Sequence, residues 1–416
     1  MIYNEILQNR NFNSILLEMI PRASIPLLER LAKQFPAVLI LGSRQCGKTT
    51  LVKTAVGGRY FDLELGSSRQ VFEGDPELAL RRLPEPLVFD EAQLLPALFP
   101  VLRGLIDEKR DKSGRFYLLG SVSPELVKGI SESLAGRVGV LDLTPFLYGE
   151  VREVVAESLD HLWVRGGYPE AFLAPDTVSW RFMFDNYFRT FVERDVARSG
   201  LAFTPQEMRR LMTMLAHLHG GLLNASDLGR SMGISYHTVQ KAIDVLEGHF
   251  LVRRLLPYHA NIGKRLVKAP KVFLRDSGLL HYLLGIDSSE TLFSSPARGR
   301  SWEGFVIEQL IAVEALNRGG SQFYFYRTGT GVEIDLIIDR GQKRIGIEVK
   351  CAASVSAADT QGLRQGLADG IIHEGIVIYS GSTTFPLSEA ITALPAKEAL
   401  ALSGILPSSS VPEDAG

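Results

Sequence analysis

No stretch of this chain restricts its fold as much as LGSRQCGKTTL, residues 41–51. Gly42, four intervening residues, then Gly47, Lys48 and Thr49 fill every fixed position of G-x-x-x-x-G-K-[ST], the phosphate-binding loop. Glycine lets the backbone curl until its N–H groups converge on phosphates at a helix N-terminus. Lys48 then reaches the β- and γ-phosphates, and the Thr49 hydroxyl holds Mg²⁺. Such a loop needs a buried parallel strand before it and a helix after it, and the apolar AVLILG and the following KTTLVKTAV read as these. A glycine turn that binds nothing is the alternative, and the flanking strand and helix weigh against it. Gly42, Ser43, Arg44, Gln45, Cys46, Gly47, Lys48, Thr49 and Thr50 are therefore the expected ATP-contacting residues.

ATP hydrolysis needs a carboxylate for the Mg²⁺ shell and another to polarise water. EPLVFDEAQLLP, at 85–96, supplies both after a strand-like run: Asp90 for the metal and Glu91 for the attacking water. An acidic helix cap is the competing role for this pair. RFYLLGS, at 115–121, reads as a further strand ending at Ser121, which either bonds the γ-phosphate or caps the next helix. SESLAGRVG, at 131–139, offers Arg137, either a surface cation or an arginine that stabilises the transferring phosphoryl group, often from a neighbouring subunit.

The ordered segments GSRQCGKTTL, LVFDEAQ, FYLLGSVS, SLAGRV, RGGYPEAF and FVERDV resemble the bacterial and archaeal AAA+ ATPases that carry a C-terminal domain of long-unknown function, and the resemblance covers nearly the whole chain. It implies Gly42 to Thr50 as Walker A, Asp90 and Glu91 as Walker B, Ser121 as a sensor, Arg137 as arginine finger or sensor, and a homo-oligomer. GGYP, at 166–169, is similar to the turn that packs a helical lid on the adenine in related ATPases, which gives Pro169 that role; a loop that merely needs glycine and proline is the alternative. FVERDV reads as a charged helix face. Cys46 stands where such loops often carry an aliphatic residue, and its thiol would make nucleotide binding sensitive to oxidation.

The length of 416 residues predicts about three domains. A formal net charge of −2 confines any DNA contact to a local basic patch. No run of ~18 apolar residues predicts a membrane span, and the N-terminus lacks a signal-peptide core. Two cysteines, Cys46 and Cys351, point to a reducing cytoplasm rather than a disulfide framework, and the eight histidines show no zinc spacing.

NASDLGRSMGISYHTVQKAIDVLEGHFLVRRLLP, at 224–257, reads as two helices about a GIS turn followed by a strand. Val239, Ala242, Ile243 and Leu246 share the core face, Ser235 caps the second helix, and His237, Gln240, Lys241 and Asp244 face outward. The whole resembles a winged helix-turn-helix, which places the second helix in a DNA major groove. The run at 262–280 adds Lys264, Arg265, Lys268 and Lys271 as phosphate contacts. A subunit-packing or partner-binding module is the alternative use of the same fold.

Beyond a Ser/Gly/Pro-rich stretch at 285–300, SWEGFVIEQLIAVEAL reads as a helix and FYFYRTGTGVEIDLIID and RIGIEVKC as strands. Alternation sets Glu333 and Asp335 on one face and Glu348 with Lys350 on another. Asp335 and Glu348 would bind Mg²⁺ or Mn²⁺ with the carbonyl of Val349, and Lys350 would orient the water. With Glu303 this E…D…E-x-K set resembles restriction-endonuclease-like nucleases. Charges alternating with Val and Ile describe any half-exposed strand pair equally well.

The expected architecture is α/β. It comprises an N-terminal helical extension (1–22), a P-loop AAA+ core on a parallel sheet (23–148), a helical lid (149–204), a winged-helix region (205–284), a linker (285–300), a nuclease-like domain (301–407) and a disordered tail (408–416). The expected function is ATP hydrolysis with Mg²⁺ coupled to binding of double-stranded or branched DNA, with metal-dependent cleavage by the C-terminal domain as a second activity. The rivals are an ATP-dependent regulatory switch or assembly protein whose C-terminal domain only binds, and an ATP-driven protein remodeller.

Overall fold

A computed structural model describes residues 20–120, 130, 132–197, 199–201, 203–259 and 267–403. Nearly all of the expected N-terminal extension, the tail, Ser121, Lys264 and Arg265 lie outside the described residues. The chain divides into two compact units. The first contains the described residues up to Phe146 with Arg165–Thr213 and Ala225–Arg253, and the second contains Leu147–Val164, Met214–Asn224 and the described residues from Arg254 onward.

The first unit is built on five parallel strands: β1 (Ala37–Leu41), β2 (Arg59–Asp62), β3 (Leu87–Asp90), β4 (Phe116–Gly120) and β5 (Val138–Asp142), in the order β2-β3-β4-β1-β5. All five residues of β1 are apolar and buried because both faces of the sheet are covered. Ala37, Leu39 and Leu41 point to one face, packed with Phe61, Phe89 and Leu118 and with Leu98, Leu102 and Ile106 of the helix Leu98–Glu108. Val38 and Ile40 point to the other, against Leu28 of α1 (Ile25–Gln34) and Leu51 and Val52 of α2 (Lys48–Ala55). The helix Leu98–Glu108 is α3. Parallel strands bring every carboxyl end to one edge, so the loop after β1 and the acidic pair ending β3 meet there.

Further along, α4 (Thr177–Thr190) is capped by Asp176, whose carboxylate accepts the Ser179 N–H at 2.7 Å. It runs directly into a π-helix, Phe191–Val196, formed by FVERDV. Next come α5 (Ala225–Met232) and α6 (Tyr236–Gly248), packed together. Ser235 Oγ accepts the Thr238 N–H at 3.1 Å. Val239, Ala242, Ile243 and Leu246 are buried, His237, Lys241 and Asp244 are exposed, and Gln240 is half-buried, its amide donating to the Tyr236 hydroxyl at 3.2 Å.

The second unit holds β6 (Gly221–Leu222), the end of β7 (Val252–Pro257), β8 (Lys271–Leu274), β9 (Gln322–Arg327), β10 (Glu333–Asp339), β11 (Arg344–Val349), β12 (Glu374–Tyr379), β13 (Phe385–Ser388) and β14 (Ile391–Pro395). They form one sheet in the order β13-β14-β12-β11-β10-β9-β7-β8-β6. β10 runs antiparallel to β9 and β11, whereas β11, β12 and β14 are mutually parallel. The helices α7 (Ser277–Leu284), α8 (Arg298–Asn317) and α9 (Gln361–Ala368) accompany this sheet. α8 is buried on all sides from Ser301 to Glu314 except for Glu303, and so reads as hydrophobic around most of its circumference. The expected linker at 285–300 is corrected: it folds into a helix at Ser289–Ser294, capped by Ser288, and then into the start of α8. Ser288 caps a helix here instead of keeping the chain flexible.

Candidate functional site

At the carboxyl edge of the five-stranded sheet the loop closes on itself. A Cβ at Gly42 would lie 2.3 Å from the Leu143 carbonyl oxygen, so only glycine fits. Gly47, with φ of 99°, turns the chain into α2 through the left-handed region. Lys48 is buried, and its ammonium donates to the carbonyls of Gly42 at 2.9 Å and Ser43 at 2.8 Å. Thr49 Oγ1 donates to Asp90 Oδ2 at 2.7 Å, which joins the first turn of α2 to the end of β3. Cys46 is buried in the core beneath the loop.

Glu91 follows Asp90 at a φ of 52°, an uncommon conformation for a side-chain-bearing residue, and its own N–H donates to Asp90 Oδ1 at 2.9 Å. Burial pushes the Glu91 carboxyl above its ordinary value, and the negative charge of Asp90 adds to the shift, against Arg44 and Lys48. A cavity of about 500 Å³ opens here, lined by Lys48, Thr49, Asp90 and Glu91 together with Phe146, Pro169 and others. Arg44, Gln45, Gly47 and Thr50 line it as well.

Several residues of this cavity were not predicted. Arg22 donates to the carbonyls of Cys46 at 2.9 Å and Thr144 at 2.6 Å, tying the chain before α1 to the loop. Tyr60 donates its hydroxyl to Asp90 Oδ2 at 2.6 Å, and burial together with that carboxylate holds its pKa far above the phenol range. Arg44 pairs with Asp195 at 2.7 Å and approaches Glu64 at 3.8 Å and Glu91 at 3.9 Å, while Arg194 reaches Glu64 at 2.5 Å. The π-helix therefore clamps the phosphate loop, a role that the charged FVERDV hinted at only through its alternating signs. Nothing in the sequence singles out Tyr60.

Arg137 stands apart. It holds Asp107 with two bonds of 2.8 and 2.9 Å, and its carbonyl accepts the N–H of Ala37, the first residue of β1. The loop follows the last residue of that five-residue strand, about 16 Å away. A role on this chain's own phosphates is thereby corrected, because the sheet itself lies between.

In the second unit the register of β10 against β11, Leu336 opposite Ile347, brings Asp335 level with Glu348. Asp335 Oδ2 accepts the Val349 N–H at 2.9 Å, and Glu348 Oε1 accepts from Lys350 at 2.9 Å. Lys350 also approaches Asp359 at 3.7 Å. Glu303 on α8 joins them through Lys271, whose ammonium lies 2.8 Å from Glu303, 2.6 Å from Glu333 and 3.7 Å from Asp335. Burial raises Glu303 to about 7, with Asp335 adding to the shift, and raises Glu348 to about 8, again with Asp335 next. Lys271 is corrected as a nucleic-acid contact: it is 2% exposed and its charge is spent on these carboxylates, whereas Lys268 is exposed. Among the described residues no group of three or more His, Cys, Asp or Glu side chains is arranged to hold a metal ion.

Three stretches match family models: residues 34–152 an AAA domain, residues 156–290 a domain of unknown function (DUF8612), and residues 298–399 a further domain of unknown function (DUF4143). "Uncharacterized protein Mb2031c" of Mycobacterium bovis and "Uncharacterized protein Rv2008c" of Mycobacterium tuberculosis are each 41% identical over 381 residues, covering 90% of this chain and 83% of theirs. The chain belongs to their family. It carries an AAA-type P-loop ATPase domain, the parallel sheet with Gly42 to Thr50, Asp90 and Glu91. Pro169, the π-helix and Lys271 fall in the second stretch, and Glu303, Glu333, Asp335, Glu348 and Lys350 in the third. Among solved structures, a Walker-type ATPase of Pyrococcus abyssi aligns with 63% of this chain and 94% of its own at 15% identity and a TM-score of 0.40. RuvB of Thermotoga maritima aligns with 57% and 90% at 18% identity and 0.31.

Proposed function

We propose that this chain is a Mg²⁺-dependent ATPase whose nucleotide state governs binding of double-stranded or branched DNA through the helix pair α5–α6. The contact that carries the reading is Thr49 Oγ1 to Asp90 Oδ2 at 2.7 Å. It joins the loop hydroxyl and the strand-end carboxylate suited to Mg²⁺ within the cavity that Lys48 and Glu91 also line. Mg²⁺, when bound with ATP, neutralises phosphate charge. Lys48 exchanges the two loop carbonyls for phosphate oxygens, Glu91 accepts the proton of the attacking water, and Pro169 packs on the adenine. Arg137, too far from its own loop, acts across a subunit boundary of a homo-oligomer, once released from Asp107.

His237, Gln240 and Lys241 on α6 meet base edges or backbone, and Lys268 with Lys264 and Arg265 meets phosphates. The absence, among the described residues, of a helix long and apolar enough to cross a membrane and two unpaired cysteines accord with a cytoplasmic setting. For the C-terminal unit the switch reading, a domain that binds without cutting, is favoured over metal-dependent cleavage by the position of Lys271 among the carboxylates.

The test has two arms. Purified full-length chain with Mg²⁺ hydrolyses ATP, and Lys48→Ala abolishes it; no turnover by the native chain, with or without DNA, sinks the enzymatic reading. Fluorescence anisotropy of a labelled duplex is then compared with ATP, with ADP and without nucleotide. Lys241→Ala and Lys268→Ala should weaken binding and flatten its salt dependence. Affinity blind to nucleotide would leave ATPase activity standing and move its output from DNA to a protein partner.

A further inference from the structure

The nuclease-like resemblance implies a divalent metal at Asp335 and Glu348, and the arrangement of this chain does not fit one. We propose that the ammonium of Lys271 is the resident cation of this acidic centre, so that Glu303, Glu333 and Asp335 hold the chain's own lysine in place of a metal ion.

The buried ammonium sits 2.8 Å from Glu303 Oε1, 2.6 Å from Glu333 Oε1 and 3.7 Å from Asp335 Oδ1, on the lone pairs that an oxygen-seeking cation would need. Three further oxygens are also engaged. Asp335 Oδ2 accepts from the Val349 N–H, Glu348 Oε1 from Lys350, and Glu333 Oε2 lies 3.3 Å from Arg327. Glu348 Oε2 is buried without a hydrogen-bond partner, and neither Asp335 nor Glu333 has a second oxygen left to share a divalent cation with it. A dication entering the centre would also meet the ammonium at short range in a site shielded from water, where like charges repel strongly.

The lysine arrives from outside the domain that supplies the carboxylates. Lys271 lies on β8, in the stretch matched to DUF8612, and all of its partners lie in the stretch matched to DUF4143. One side chain therefore fastens β8 to α8 and β10. The C-terminal unit acquires a fixed charge centre that works without metal, and the E…D…E-x-K pattern survives as a structural device. Removing the ammonium leaves buried carboxylates uncompensated, and a divalent cation is then the simplest replacement.

The experiment titrates Mn²⁺ into full-length, nucleotide-free chain and follows free Mn²⁺ by electron paramagnetic resonance, so that no catalytic activity is needed. Binding that disappears with Asp335→Asn belongs to this centre; binding that survives belongs elsewhere. The native chain should show no Asp335-dependent Mn²⁺ up to millimolar concentration. Lys271→Met should gain one such ion per chain, lost again in the Lys271→Met, Asp335→Asn double variant, and melt higher with Mn²⁺ than without. Asp335-dependent Mn²⁺ binding by the native chain overturns the proposal, a result that needs no lysine variant to fold. A folded Lys271→Met chain that gains no ion also overturns it, making the lysine an ordinary buried ion pair. Should that variant not fold, Lys271→Gln, which keeps two hydrogen-bond donors, takes its place under the same criteria.

Discussion

Glu91 has the environment of a base that must work near neutral pH: burial disfavours its charge, while Arg44 and Lys48 restrain the rise. Its neutral form therefore persists above the ordinary carboxylate range, and ATP turnover should fall with acid already above that range, where the base becomes protonated. Glu91→Gln should cost on the order of 100-fold or more in turnover, leave nucleotide affinity nearly unchanged, and remove that acid limb from any residual rate. A native profile that stays flat down to the ordinary carboxylate range would rule Glu91 out as the base. The glycine-lysine loop and the Asp90–Glu91 pair were legible in the sequence because each residue type there is nearly dictated by phosphate and metal chemistry. Tyr60 was not, since a tyrosine on an ordinary strand carries no signal until the sheet order sets it beside Asp90.

Among elements, the π-helix Phe191–Val196 shows how burial decides the worth of an ion pair. Asp195 is 4% exposed and bonds Arg44, whereas its neighbour Glu193 pairs with Arg189 in open solvent. Asp195→Asn should lower stability by about 1–3 kcal/mol in urea melts, and Glu193→Gln should leave the melt unmoved. Equal effects of the two would mean that the clamp on the phosphate loop is not what Asp195 provides. In the second unit Ser301 connects α8 to a buried chain of donors. Trp163 Nε1 donates to Ser301 Oγ at 2.9 Å, Ser301 donates to His281 Nε2 at 2.7 Å, and His281 Nδ1 donates to the Val164 carbonyl at 2.9 Å. Ser301→Ala strands two buried polar groups and should cost about 1–3 kcal/mol; a loss below about 0.5 kcal/mol would show that water or a shifted rotamer replaces the hydroxyl. These chains were illegible beforehand because their members lie far apart in sequence.

At the scale of the whole molecule, each unit has its own chemical handle. Burial lowers His281 to about 4 and His219 to about 3, so these two sites bind fewer protons in the folded chain than in the unfolded one below pH 6.5, while Glu303 and Glu348, raised to about 7 and about 8, bind more. The histidines' contribution to stability is full above pH 6.5 and is lost progressively as pH falls to about 4 and about 3, whereas that of the two carboxyls grows as pH falls below about 8 and about 7. ATP acts on the other unit, and at about 100 times its Kd should add about 2.7 kcal/mol there. Scanning calorimetry at a fixed pH should show ATP raising the transition of the first unit and leaving that of the second in place. A single transition raised by ATP would mean that the units unfold as one. The sequence by itself determined the parallel ATPase sheet, the loop, the acidic pair and the buried face of α6, because short-range periodicity and local chemistry specify them. It also placed Glu303, Asp335, Glu348 and Lys350 in one pattern. Only the tertiary structure decided that Lys271, read as part of a basic surface, turns inward to neutralise that pattern, and that Arg137 lies at the far end of the sheet from the loop. Strand order and register set those distances, and both depend on pairings between residues remote in the chain.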